Sequence, residues 1–252
     1  MNVLTAQLPS GGYGYSFTDI TINPFTFLDL TGYLENVPSD PLEKYMFDIK
    51  VLAKDDPKIY DIYIMDLDFL IFYKKLCTVS ADLSYELSIK CPECGNTIKK
   101  KISLEKDIHF TQIESGVMNG AFVELGGHKY EVQVPTVREF LQVFETYLRY
   151  RKVTDLKMIK TIALIKEFRT FGNQVEEDVL GAKHEDITLL LALRELYYDR
   201  VEPITVYCPD CNKGLKKEER RGISVSVDSL IGDFFREIII NSPINGSKVL
   251  FK

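Results

Sequence analysis

The chain has 252 residues, of which 45% are hydrophobic and 27% charged, and its formal net charge is −6. This composition is typical of a folded protein with one or two domains. It excludes extended disorder, and the modest, aperiodic glycine and proline contents exclude a collagen-like chain. The negative charge argues against a dedicated nucleic-acid-binding protein, although it permits a local basic patch.

The sequence shows no segment that would direct the chain to a membrane or out of the cell. It has no run of about 18 consecutive apolar residues, and its N-terminus lacks the basic and apolar regions of a secretion signal. We therefore expect a cytosolic protein that does not bind membranes. Its five cysteines should remain reduced in that compartment.

The N-terminal 78 residues are predicted to comprise an arm and a helical region. Residues 1–20 are rich in glycine, serine, threonine and tyrosine, and we expect an arm that lies outside the core and becomes ordered against a partner. Residues 21–78 are predicted to be helical. Asp40 is placed to cap a helix that begins at Pro41, and a second helix is expected to begin near Asp66.

Two segments, residues 79–106 and 202–227, are predicted to form the halves of a split zinc ribbon. In each half a strand leads into a Cys-Pro-x-Cys turn, which is followed by a lysine-rich stretch and a returning strand. The cysteines of the two turns are Cys91, Cys94, Cys208 and Cys211.

The remaining segments are predicted to be an insert and a C-terminal element. The insert, residues 107–201, should contain a β-hairpin that turns at Gly126-Gly127, followed by helices that start at Thr136, with a strand-like stretch at 108–113. Residues 228–252 are predicted to be a helix and an irregular tail. The expected fold is α+β, with helical units around a split zinc-ribbon-like β element made of two knuckle hairpins.

One metal ion would account for both pairs of cysteines. A structural zinc ion takes four ligands in a tetrahedron, and two turns with two cysteines each supply four thiolates. The long intervening segment is compatible with one site, because the entropy cost of closing a loop grows slowly with its length. We therefore predict a structural zinc site at the four cysteines.

Three alternatives to zinc stay open on the sequence alone. Cys-Pro-x-Cys also occurs in dithiol oxidoreductases, where it begins a helix, whereas a turn and a strand are predicted here. Four thiolates also suit iron. The third alternative is four reduced cysteines without a metal. Cys77 lies on an apolar helix face and is expected to be a buried thiol outside the site.

The sequence contains no P-loop, nucleophile elbow, zinc-protease or dinucleotide-binding motif, so we expect no enzymatic activity and no small-molecule substrate. Basic residues follow both cysteine pairs, which would fit a zinc-ribbon nucleic-acid-binding or transcription-associated factor. However, Glu218 and Glu219 interrupt the second basic run, and no aromatic residues alternate with the lysines. We keep this function as the alternative and do not expect a nucleic-acid partner.

Several short motifs follow one another in the first 105 residues. LPSGG at Leu8–Gly12 precedes ITINPFTFLDL, a helix that ends in FLIFYKKLCTVS, and a strand that leads into CPECGNTIKKKISL. This order resembles the baseplate hub and tail-assembly proteins of contractile-tailed bacteriophages. The resemblance covers about residues 7–105 and extends more loosely to the helical part and the second cysteine pair.

The resemblance implies a structural or assembly protein of the phage tail baseplate, without enzymatic activity. Its partners would be other tail and baseplate proteins. It would be found in the host cytoplasm during assembly and in the baseplate of the virion. The positions that match the family are Leu8–Gly12 and the four paired cysteines.

Overall fold

The structure is a computed structural model that describes residues 1–79, 84–107, 109, 112–113, 120–151, 156–169, 177–178, 182, 184–198 and 202–225. The predicted C-terminal helix and tail, 228–252, and most of the predicted strand at 108–113 lie outside these residues. The fold is α+β, as predicted. None of the described helices is long and apolar enough to cross a membrane.

Helices and short strands follow one another along the described chain. The helices are α1 (Phe27–Asn36), α2 (Pro41–Asp55), α3 (Ile64–Val79), α4 (Leu104–Asp107), α5 (Val137–Arg151), α6 (Leu156–Ala163) and α7 (His184–Tyr198). The strands are β1 (Asn2–Leu4), β2 (Asp19–Thr21), β3 (Ser84–Lys90), β4 (Thr97–Ser103), β5 (Ala121–Leu125), β6 (His128–Val132), β7 (Ile204–Tyr207) and β8 (Gly222–Val225). They form four antiparallel two-stranded sheets, in the pairs β1–β2, β3–β4, β5–β6 and β7–β8.

The chain divides into two compact units, each built from two separate segments. The first unit comprises Met1–Ile71 and Thr111–Arg200, and the second comprises Phe72–Phe110 and Val201–Lys252. Most of the predicted helical region (residues 21–71) and of the predicted insert (residues 111–200), which the sequence presented as separate parts, thus belong to one unit. Both cysteine hairpins belong to the other.

The two predicted helix starts that depend on side-chain caps are confirmed. The carboxylate of Asp40 accepts hydrogen bonds from the backbone N–H groups of Leu42 (2.9 Å) and Glu43 (3.0 Å), and Pro41 occupies the first position of α2. At the start of α5, the Glu139 carboxylate accepts from the Thr136 backbone N–H at 2.8 Å, and the Thr136 hydroxyl accepts from the Glu139 N–H at 3.3 Å. These reciprocal bonds satisfy N–H groups that have no partner within the helix.

The N-terminal segment is part of the core of the first unit. Val3 of β1 pairs with Ile20 of β2, and both side chains are buried, as is Leu8. This corrects the expectation of an arm outside the core. The apolar side chains of the segment are too widely and irregularly spaced to produce a helix or strand period, but the glycine-rich turn between them folds them onto one surface.

A buried carboxylate on α3 holds this segment in place. Asp66 is 0% exposed and accepts hydrogen bonds from the Ser10 backbone N–H (2.8 Å), the Ser10 hydroxyl (2.6 Å) and the Tyr15 hydroxyl (2.5 Å). The Tyr15 hydroxyl in turn accepts from the backbone N–H of Tyr63 at 2.7 Å. These donors replace the water that Asp66 loses on folding. Burial still raises the pKa of Asp66 to about 6.

The second of the two glycines after Ser10, Gly12, allows the turn to close. Gly12 has a φ of +74°, and a Cβ atom at this position would lie 2.8 Å from the Thr5 hydroxyl oxygen and 3.0 Å from the Thr5 carbonyl carbon. A side chain would therefore clash with backbone atoms that cannot move independently. The LPSGG motif thus forms a turn in which Ser10 and Gly12 both have defined structural roles.

We expect Leu8→Ala to lower the free energy of unfolding by about 2–5 kcal/mol, the usual range when a buried leucine is truncated. Leu4→Ala is the matched control, because Leu4 is 52% exposed in the same segment; its effect should stay within about 0.5 kcal/mol. Urea unfolding of the full chain measures both. Equal effects of the two substitutions would contradict the packing of this segment in the core.

Asp66 should make the protein more stable as the pH falls from 7 to 4. Its pKa is about 6 in the folded chain and 3.8 in the unfolded chain, so between these values the folded chain binds the proton more tightly. The gain is complete below the unfolded pKa, reaches about 3 kcal/mol, and is lost as the pH rises through 6.

Asp66→Asn removes the carboxyl group that titrates, so this variant serves as the reference for the wild-type protein. The difference in unfolding free energy between wild type and variant, measured by urea unfolding at pH 7 and pH 4, isolates Asp66 from the other carboxylates. A difference that does not change with pH would show that the pKa of Asp66 is not raised.

Candidate metal centre

The first cysteine pair lies in the tight turn of the β3–β4 hairpin. The two strands pair from Ser84↔Ser103 to Lys90↔Thr97. Across the turn the Cys91 N–H donates to the Asn96 carbonyl at 2.9 Å, and the Gly95 N–H donates to the Cys91 carbonyl at 2.9 Å. Gly95 adopts a φ of +74°, which residues with a side chain rarely adopt. The backbone itself therefore closes this turn.

The second cysteine pair lies in a longer loop between β7 and β8. Pairing of these strands ends at Tyr207↔Gly222, and Cys208 follows directly. The Asn212 N–H donates to the Cys208 carbonyl at 3.1 Å, which forms a turn around the cysteines similar to the first. The chain then makes a 3₁₀ turn over Lys217–Glu219 before β8 begins.

The structure brings the four predicted cysteines together. Their sulfur atoms all lie within 4.8 Å of one another, with 3.6 Å between Cys91 and Cys211 and 3.6 Å between Cys94 and Cys208. Four ligands at 2.3 Å in a tetrahedron would be about 3.8 Å apart. The thiols are free rather than joined in disulfides. The cluster therefore has the size and donor set that one four-coordinate metal ion requires.

Burial and electrostatics differ among the four thiols. Cys91 and Cys208 are 3% and 1% exposed, whereas Cys94 is exposed and Cys211 is partly exposed. Hydrogen bonding from the backbone of Cys94, opposed by burial, lowers the pKa of Cys91 to about 7. The neighbouring thiols of Cys94 and Cys91 raise the pKa of Cys211. Deprotonation of Cys91 is thus favoured and that of Cys211 disfavoured, and a bound cation would offset the repulsion between thiolates.

Two polar contacts also join the turns. The Asn96 amide donates to the Asp210 carboxylate at 2.8 Å, and the Arg221 guanidinium donates to the Glu93 carboxylate at 3.2 Å. Both contacts are exposed and contribute little to stability on their own. They nevertheless bring the two loops into register at the cysteines. These pairs could not be predicted from the sequence, because no spacing rule relates residues in two distant segments.

The described residues contain no second cluster of three or more potential metal ligands. Cys77 is 7% exposed on α3 and is not part of the group, as the sequence predicted. Burial raises the pKa of its thiol, which keeps it protonated and unreactive.

Comparison with known protein families, with curated proteins and with solved structures finds no match to the chain. The cysteine cluster is therefore interpreted from its own geometry and chemistry.

We expect Cys91→Ser to abolish tight metal binding and to lower the melting temperature far more than Cys77→Ser. The two cysteines are similarly buried, at 3% and 7% exposure, so the pair is matched in burial while only Cys91 belongs to the cluster. Metal-linked folding energies are of order 10 kcal/mol, whereas one altered buried polar group changes stability by about 1–3 kcal/mol. Melting curves with and without a chelator measure both effects. Equal shifts for the two variants would contradict the assignment.

Proposed function

We propose that the four cysteines bind one structural zinc ion, which joins the two hairpins into a split zinc ribbon. The observation that carries this proposal is the convergence of four sulfur atoms within 4.8 Å from two segments far apart in sequence. A protein that supplies all four ligands leaves no coordination position for a substrate, which is typical of structural rather than catalytic zinc.

A bound metal ion suits this cluster better than a dithiol redox pair does. The cysteine turns lie between antiparallel strands, as in zinc knuckles, and neither pair begins a helix, as the redox motif does. Iron takes the same donor set. Metal analysis of the purified protein separates the two ions.

We further propose that the protein is a structural or assembly component of the hub region of a contractile phage tail baseplate and acts through protein–protein contacts. The order of motifs from LPSGG to the first cysteine pair supports this function. An exposed apolar stripe on α7, formed by Leu189, Ala192 and Leu196 at helical spacing, supports protein–protein contacts. Leu189 and Leu196 are 49% and 41% exposed.

Ion pairs around the cysteines favour protein partners over a nucleic acid. Lys99 pairs with Glu86 at 3.1 Å, Lys100 pairs with Asp107 at 3.0 Å, and Arg221 pairs with a carboxylate as well. Binding to a phosphate backbone depends on cations that are available to replace its counterions. These three basic side chains already have acidic partners, which weakens the case for a nucleic-acid factor.

Protein purified without added metal should contain about one zinc per chain, because the four thiolates form one closed site. Elemental analysis measures zinc and iron in the same sample. Cys77→Ser should keep the zinc, and Cys91→Ser should lose it. Stoichiometric iron, or a wild-type chain without metal, would contradict the proposed zinc site.

Tagged full-length protein should capture identified tail and baseplate proteins when it is expressed in phage-infected cells, because the proposed function depends on protein contacts. Mass spectrometry identifies what is bound, and the tag alone is the control. Salt-dependent binding of DNA or RNA by the purified chain, without capture of tail proteins, would contradict the baseplate proposal and favour the nucleic-acid factor.

A further inference from the structure

The two cysteine turns are closed in different ways. In the first turn, β4 begins at Thr97, so the backbone carbonyl of Asn96 is in place to accept from the Cys91 N–H at 2.9 Å. In the second turn, β8 begins only at Gly222, after the loop has made its 3₁₀ turn. The residues that directly follow Cys211 therefore cannot continue into the partner strand.

A side chain takes over the closing role in the second turn. The Asn212 amide donates to the Cys208 carbonyl at 2.8 Å and to the Arg221 carbonyl at 3.2 Å. The Arg221 backbone N–H donates to the Asn212 side-chain oxygen at 2.8 Å. The carboxamide thus bonds both backbone polar groups of Arg221, as a paired strand residue would.

Burial makes these bonds difficult to replace. Asn212 is only 8% exposed, and its bond to the Cys208 carbonyl is buried, so water has little access to that carbonyl. Loss of the amide would leave the Cys208 carbonyl with only the Asn212 backbone N–H as a donor and would remove the side-chain donor to the Arg221 carbonyl. The backbone at Cys208, which is itself 1% exposed, would then lose its link to Arg221.

The same bonds connect the second turn to the first. Arg221, whose backbone is held by Asn212, donates through its guanidinium to Glu93 at 3.2 Å, and Glu93 lies between the first two cysteines. One buried side chain therefore bonds the loop that carries Cys208 and the backbone of Arg221, whose side chain contacts the opposite cysteine turn.

We infer that Asn212 is a positioning residue of the metal centre, which holds Cys208 and Cys211 in the arrangement that binds the ion. The inference rests on the proposed zinc site and adds a residue that no ligand-spacing rule identifies. Residues that orient metal ligands through hydrogen bonds typically change metal affinity by about 10–100-fold when they are replaced. Asn212 acts through the backbone of the ligand-bearing loop and does not contact the ion.

The test compares the zinc affinity of the full chain with that of Asn212→Ala and Asn212→Asp, measured by competition with a chromophoric chelator. Aspartate keeps the acceptor for the Arg221 N–H but removes the donor to two carbonyls. Both variants should bind zinc about 10–100-fold more weakly. Lys213→Ala is the matched control, since Lys213 is the adjacent exposed residue of the same loop; its affinity should stay within about twofold of wild type.

A second measurement separates positioning from a general effect on folding. If Asn212 only stabilised the loop, its replacement would lower the melting temperatures of the metal-free and zinc-bound proteins equally and leave the affinity unchanged. The inference predicts a smaller gap between these two temperatures, and an altered absorption spectrum of the cobalt-substituted site. If Asn212→Ala does not fold, the zinc affinity is measured on Asn212→Ser instead.

The outcomes distinguish this inference from the function on which it rests. Unchanged affinity in the Asn212 variants, or an equal loss in Lys213→Ala, overturns the positioning role and leaves the zinc site intact. A wild-type chain that binds no zinc overturns the zinc site itself, and the positioning role with it.

Discussion

The close approach of four cysteine sulfurs is the constraint on which the proposed metal centre depends. The sulfurs lie within 4.8 Å of one another, and they come from two segments that the first unit separates in sequence. Four thiolates at such distances are stable only if a cation lies between them. In the proposed zinc site, metal binding, deprotonation of the thiols and association of the two hairpins would therefore be one linked equilibrium.

Buried polar groups perform the same task in each unit, which is to hold together parts of the chain that no regular element connects. In the first unit the carboxylate of Asp66 accepts from Ser10 and Tyr15 and fixes the N-terminal segment. In the second unit the carboxamide of Asn212 bonds the backbone of Cys208 and Arg221. Asp66 and Asn212 are 0% and 8% exposed, so water cannot readily replace their hydrogen bonds when either side chain is removed.

The sequence predicted those features that depend on local chemistry. The helix that begins at Pro41 follows from a cap within three residues, and the cysteine pairs follow from their spacing. The prediction that the N-terminal segment lies outside the core was wrong, because the burial of this segment depends on contacts between Ser10 and the distant Asp66. The structural role of Asn212 could not be predicted for a related reason. An asparagine after a cysteine pair is typical of an ordinary turn, and only the folded loop shows that its side chain bonds Arg221.

X-ray absorption spectroscopy at the metal edge tests the central claim most directly, because it identifies the element and its ligands in one measurement on the full chain. Protein purified without added metal should show a zinc edge and about four sulfur neighbours at about 2.3 Å, with no nitrogen or oxygen in the coordination shell. An iron edge, or zinc held by a mixture of sulfur and lighter atoms, would contradict a closed four-cysteine zinc site.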